Sequence, residues 1–169
     1  NGDWTFEEAA STNGPVAEND VYAHAAVATD ADGDGNIDIL VVDDSGRLNP
    51  LYRNDGSGTF SQAAYEAGVA DGGLSMGATT GDFNNDGHMD IMATNITLTA
   101  GERIALSTEG VLDGSTRMGE VMETLRREYK PISLYLGNGD GTFSDVTETA
   151  GLDFPGDAGA AGEWIDYNH

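Results

Sequence analysis

One nine-residue pattern occurs twice and sets the frame for the rest of the chain. Asp30-Ala31-Asp32-Gly33-Asp34-Gly35-Asn36-Ile37-Asp38 is matched 52 positions later by Asp82-Phe83-Asn84-Asn85-Asp86-Gly87-His88-Met89-Asp90. A second marker keeps nearly the same step. Gly2-Asp3-Trp4-Thr5-Phe6, Gly56-Ser57-Gly58-Thr59-Phe60 and Gly139-Asp140-Gly141-Thr142-Phe143 each read as a glycine-rich hairpin followed by a strand that opens on an aromatic residue, and Phe6 to Phe60 is 54 positions. Self-similarity at such a period signals a repeat architecture, in which one unit buries its apolar face only by stacking on the next. Asp166-Tyr167-Asn168-His169 opens a third copy of the acidic pattern, 84 positions after Asp82, so about 32 residues are inserted in the second repeat.

Within one period the order is short strand, acidic loop, strand, turn, strand, glycine turn, strand. Ile37, Ile39, Leu40, Val41 and Val42 form the apolar strand after the first loop, and Met89, Ile91 and Met92 open its counterpart. Four short strands in about 50 residues is the size of one propeller blade. Small residues ahead of each acidic loop, as in Met76-Gly77-Ala78 and Ala160-Ala161-Gly162, suit an innermost strand packed near a central axis.

The expected fold is therefore all-β, a partial β-propeller of four-stranded antiparallel blades with about two and a half repeats and one helical insertion. Residues 1–23 end one blade, 24–75 and 76–157 are complete blades, and 158–169 start the next. The insertion, about 97–131, is expected to be helical. Met118, Val121, Met122 and Leu125 recur at helical spacing, Arg126, Arg127 and Lys130 suit a helix C-terminus, and Pro131 is a stop. Such a helix either packs across a blade edge or docks a partner.

Charge narrows the function. Thirty Asp and Glu stand against 7 Lys and Arg, a formal net charge of −23. That excess repels nucleic acid and anionic membrane surfaces, and no apolar run approaches the ~18 residues of a membrane span. Disorder does not fit a chain that is 38% hydrophobic with its apolar residues in strand-like runs. With no cysteine, the redox compartment is not legible from disulfides.

Carboxylates gathered on a tight loop suit a hard cation. Calcium takes six to eight oxygens at about 2.3–2.6 Å, and alternate loop positions supply them. In the first loop Asp30, Asp32 and Asp34 fill positions 1, 3 and 5, Asn36 offers its backbone carbonyl at 7, Asp38 closes the ring at 9, and Gly35 permits the bend. Asp82, Asn84, Asp86, the carbonyl of His88, and Asp90 repeat the scheme around Gly87, while Asp166 and Asn168 begin a third site. Asn84 replaces a carboxylate, which favours lower affinity in the second loop unless rigidity reverses the order. Position 12 holds Val41 or Ala93 inside an apparent strand, which excludes an EF-hand. Turn formation alone accounts for Asp, Asn and Gly, but not for acids at alternate positions that repel one another.

The two acidic loops together with the Gly-x-Gly-Thr-Phe turns resemble FG-GAP and VCBS repeats. In that family such loops bind calcium within a seven-bladed propeller, as in the integrin α-chain head. Leu134-Tyr135-Leu136-Gly137-Asn138 leading into the third turn, and Thr149-Ala150-Gly151-Leu152, look similar to secreted propellers of the ASPIC/UnbV and cartilage-acidic-protein type. The resemblance implies Ca2+ as the bound group, an extracellular or cell-surface location, and an adhesion, assembly or structural role without catalysis. Partners would be protein, either the remaining blades or further copies of the chain, since about two and a half repeats fall short of the 4–8 blades of a closed ring.

Two other readings exist. A carbohydrate-binding module would use Trp4, Tyr22, Tyr52, Tyr65, Trp164 and Tyr167 for stacking, although these also suit core or hairpin packing. A secreted enzyme finds one formal motif, Gly73-Leu74-Ser75-Met76-Gly77, which matches the nucleophile-elbow string but falls in a link between blades. His24, His88 and His169 follow no zinc spacing, and Asn95-Ile96-Thr97 is a formal glycosylation sequon.

Overall fold

A computed structural model describes Thr5 and residues 22–44, 47–70, 75–95, 132–152 and 162–163. The expected insertion helix, Asp166, Asn168, Trp4, Trp164 and Tyr167 lie outside the described residues, as does the first glycine turn apart from Thr5.

Two four-stranded antiparallel meanders carry the fold. The first runs β1 (Ala23–Thr29), β2 (Asp38–Asp43), β3 (Leu51–Asn54) and β4 (Phe60–Gln62); the second runs β5 (Ser75–Gly81), β6 (Asp90–Asn95), β7 (Ile132–Gly137) and β8 (Phe143–Asp145). In each sheet the strands lie side by side in chain order, as in a propeller blade. β5 and β6 have the bounds of β1 and β2 moved by the 52-residue step. Even the irregularity repeats, because the register slips between Ala23 and Ala25 in one sheet and between Ser75 and Gly77 in the other. The extra residues of the second repeat fall between β6 and β7, so the insertion leaves the acidic loop and the glycine turn of its blade untouched.

β2 is apolar almost without alternation because it is covered on both faces; Leu40, Val41 and Val42 are all buried. Ile37 departs from the expected strand. It stands 53% exposed, one residue before β2, and Met89 likewise precedes β6. Each strand begins instead at the aspartate that follows, whose side chain turns inward and so sends its predecessor outward.

The sheets share one core. Leu40 and Leu51 of the first sheet, together with Ala64, Ala67 and Val69 just after it, pack with Ile91, Tyr135 and Phe143 of the second. A short helix absent from the sequence expectation, α1 (Ala64–Ala67), follows β4. At four residues it is below the length at which helical periodicity can be read. Its three closing bonds, Ala67 N–H to Ala63, Gly68 N–H to Tyr65 and Val69 N–H to Ala64, recur after β8 as Ala150 to Val146, Gly151 to Glu148 and Leu152 to Thr147. Gly68 and Gly151 both adopt the left-handed conformation that ends such a turn.

Candidate metal centre

Both acidic loops join the first strand of a sheet to the second, and both are shaped by carboxylates that accept the loop's own N–H groups. In the first, Gly35 N–H donates to Asp30 Oδ2 at 3.1 Å, Asp34 N–H to Asp32 Oδ1 at 3.3 Å, and Asn36 N–H to Asp34 Oδ1 at 2.7 Å. In the second, Gly87 N–H donates to Asp82 Oδ2 at 3.0 Å, Asp86 N–H to Asn84 Oδ1 at 3.0 Å, and His88 N–H to Asp86 Oδ1 at 2.8 Å. The bend requires a left-handed residue at position 6, met by Gly35 at φ 88° and Gly87 at φ 90°. Position 4 is left-handed as well. Gly33 takes it in one loop, while Asn85, at φ 59°, takes it in the other as a residue type that tolerates this region.

The ninth position does more than close a ring. Asp38 and Asp90 are buried, and each carboxylate joins three segments: Asp38 accepts from Ala31 N–H at 3.0 Å and Asn54 N–H at 2.8 Å, and Asp90 from Phe83 N–H at 2.7 Å and Gly137 N–H at 2.9 Å. The loop is thus fastened to the end of the third strand, where the glycine turn begins. Burial pushes the Asp38 carboxyl up from its ordinary value; the two N–H donors oppose this, and the charges of Asp32 and Asp34 add to it. Asp86, fully exposed, is held below the ordinary value by the His88 N–H and the Asn84 side chain.

The acidic loop also touches the glycine turn of its own blade. The side chain at position 7 covers the first glycine of the turn, Asn36 over Gly56 and His88 over Gly139. Within the turns, Asp55 accepts from Ser57 Oγ at 2.6 Å and Asp140 from Thr142 Oγ1 at 2.5 Å, and these bonds hold both carboxyls below the ordinary value.

The first loop brings three acids to one point. Carboxylate oxygens of Asp30, Asp32 and Asp38 all lie within 4.8 Å of one another. Asp34 stands apart from that trio and binds Asn36 through both its oxygens. In the second loop Asn84 takes the place of the third acid and donates to Asp86 Oδ2 at 2.7 Å. Among the described residues, the buried side-chain polar atoms lacking a hydrogen bond are Thr29 Oγ1, Asp30 Oδ1 and Arg53 Nε, all at or beside the first loop. A buried acceptor left so costs about 1–3 kcal/mol, and three convergent carboxylates add mutual repulsion. A bound cation, for which this all-oxygen set is suited, would answer both terms, while the guanidinium of Arg53, whose Nε is 3.7 Å from Asp32 Oδ2, offsets part of the repulsion. A cavity of about 70 Å³ opens between the two loops, with Asp30, Asp32, His88 and Met89 among its walls.

Residues 30–93 match the family model of the FG-GAP-like repeat, from the first acidic loop through the second and into β6. This stretch is similar to an FG-GAP-like repeat. The match covers the two features argued above, the paired loops and the intervening glycine turn. No curated protein matches the chain. The narrower likeness to ASPIC/UnbV and cartilage-acidic-protein propellers rests on the turn phrases alone.

One candidate is placed differently from the sequence expectation. Ser75 does not sit in a link between blades but opens β5, fully buried; its hydroxyl donates to Asn95 Oδ1 at 2.7 Å and accepts from Asn49 Nδ2 at 2.9 Å. Asn49 also receives Asp43 N–H at 2.8 Å, so the residue that resembled a nucleophile is part of a buried polar bridge between the sheets. Tyr52 is 1% exposed and belongs to the core, whereas Tyr22 and Tyr65 are about 70% exposed. Arg53, Thr29 and the N–H groups of Asn54 and Gly137 were not among the sequence candidates. Their common signal is position, at a strand end flanking an acidic loop or a glycine turn.

Proposed function

We propose that the chain is a calcium-binding segment of an extracellular β-propeller that serves adhesion, assembly or structural display, without catalysis. The observation that carries the reading is Asp30 Oδ1, a buried carboxylate oxygen with no hydrogen-bond partner, beside Asp32 and Asp38. It lies within the stretch similar to an FG-GAP-like repeat, and repeats of that family often hold calcium. Asp30, Asp32 and Asp38 would hold the ion in the first loop, with Asp34 and the Asn36 carbonyl as further oxygens. Asp82, Asn84, Asp86, Asp90 and the His88 carbonyl would serve in the second. The ion supplies charge neutralisation; the residues supply a loop already bent by Gly35 or Gly87 and fastened to the third strand by Asp38 or Asp90.

A surface location fits the calcium reading, since extracellular modules of this kind bind at about 10⁻⁴–10⁻³ M, which millimolar extracellular calcium would fill. The described residues form two four-stranded sheets where a closed ring takes four to eight blades, and further blades would be supplied by the same protein or by a partner chain.

Calorimetry on chelator-treated protein tests the reading. About two sites with dissociation constants near 10⁻⁴–10⁻³ M are expected. An absence of heat, with no change on calcium addition in the amide resonances of Gly35 and Gly87, sinks it. A glycan array and a hydrolase and lyase substrate panel, both expected blank, test the sugar-binding and enzymatic alternatives.

A further inference from the structure

We infer that Arg53 sets the cation affinity of the first loop, as an internal counter-ion that competes for Asp32 while tying that loop to the second sheet. This rests on the calcium reading and adds a residue outside either loop. Arg53 is in β3, half-buried. Its Nε is 3.7 Å from Asp32 Oδ2, and its Nη2 donates to the carbonyl of Gly141, in the glycine turn of the other sheet. The fit is close: a Cβ at Gly141 would come within 2.6 Å of Arg53 Nη2 and 2.9 Å of Asp32 Cβ. With Nε buried and lacking a hydrogen bond, the guanidinium is held by Asp32 on one side and the neighbouring sheet on the other.

Comparison of the two repeats gives the arrangement its meaning. The first loop has four carboxylates, Asp30, Asp32, Asp34 and Asp38; the second has three, Asp82, Asp86 and Asp90, with Asn84 where Asp32 stands. Leu51-Tyr52-Arg53 of β3 corresponds to Leu134-Tyr135-Leu136 of β7, so the repeat that lacks the extra acid also lacks the arginine. Acid and base are present together in one blade and absent together in the other. Each site therefore presents a cation with the same net formal charge. The loop with more carboxylates loses the advantage that its acid count alone would give it.

Loop-resolved NMR tests this, because Gly35 N–H binds Asp30 and Gly87 N–H binds Asp82, giving each site its own reporter. Calcium titration of the wild-type chain should give two affinities within roughly threefold of each other. Arg53→Met, which keeps the aliphatic stem and removes the charge, should tighten the Gly35 site about five- to twentyfold and leave the Gly87 site unchanged. It should also lower the melting temperature of the calcium-free protein, through loss of the Gly141 bond. Arg53→Gln keeps an N–H donor for Gly141 and decides the matter if the Met variant does not fold. An unchanged or weaker Gly35 site in the folded variant overturns the inference while the calcium reading stands. If neither reporter moves in the wild type, both fall.

Discussion

The imidazole of His88 lies over Gly139 so closely that a methyl group there would overlap the ring. An acidic loop and a glycine turn about 50 positions apart are thereby interlocked, and Asn36 over Gly56 repeats the arrangement in the other blade. Gly139 is thus constrained by space as well as by its φ of 75°. Gly139→Ala should destabilise the fold by about 1–3 kcal/mol in chemical denaturation, from strain plus overlap. Gly35→Ala, where nothing lies within 4 Å of a Cβ, carries the backbone term alone and should cost less. His88→Ala should recover part of the Gly139→Ala loss in the double variant, and simple additivity would contradict the interlock.

Asp38 fastens its loop through two backbone donors, Ala31 and Asn54, one on each oxygen. Asp38→Asn keeps the shape but sets an NH2 against one of those donors. Stability without calcium should drop by about 1–3 kcal/mol, measured by urea unfolding.

Carboxyl chemical shifts followed against pH should separate two classes of aspartate. Asp55 and Asp140 titrate below the ordinary 3.8 because the hydroxyls of Ser57 and Thr142 favour their ionised forms. Their stabilising effect is present above about 3.8 and is lost as pH falls through the depressed values. Asp38 titrates above 3.8 in the calcium-free protein because burial disfavours its charge. Its sign is opposite: ionising Asp38 costs stability, and that cost is absent below 3.8 and grows as pH rises to its folded value. Ser57→Ala should move Asp55 back towards 3.8, and an unmoved Asp55 would contradict the assigned cause.

On the calcium reading the ion should raise the melting temperature, since the folded loops would bind it and the unfolded chain presents no such site. At a hundredfold excess over the dissociation constant one site contributes ~2.7 kcal/mol. Asp30→Ala should remove the first loop's share and leave the calcium response of the Gly87 amide intact. Equal melting temperatures in chelator and in millimolar calcium would show that the sites are not structural.

Ser75→Ala removes a buried hydroxyl that joins Asn49, in the link between β2 and β3, to Asn95 of the second sheet. Thermal stability should fall, with about 1–3 kcal/mol lost for the partners left unmade, while calcium affinity at both loops stays at the wild-type value.

The loops and glycine turns were legible in the sequence because their geometry is local. Asp30 to Gly35 is a bond across five residues and Asp140 to Thr142 across two, so residue type and spacing suffice to specify them. The blade period was legible for the same reason, as a local pattern repeated. Ile37 and Ser75 were less so, since apolar and hydroxyl residues carry no label for which side of a strand faces the core. What tertiary structure alone decided lies further apart: Asn54 on Asp38 across 16 positions, Gly137 on Asp90 across 47, and Arg53 on Gly141 across 88. Those distances are closed by strand register and by the packing of Leu51 and Ala64 against Ile91 and Phe143, a cooperative outcome of both sheets. The sequence on its own determined where carboxylates gather; the fold decided that one of them, Asp32, meets an arginine.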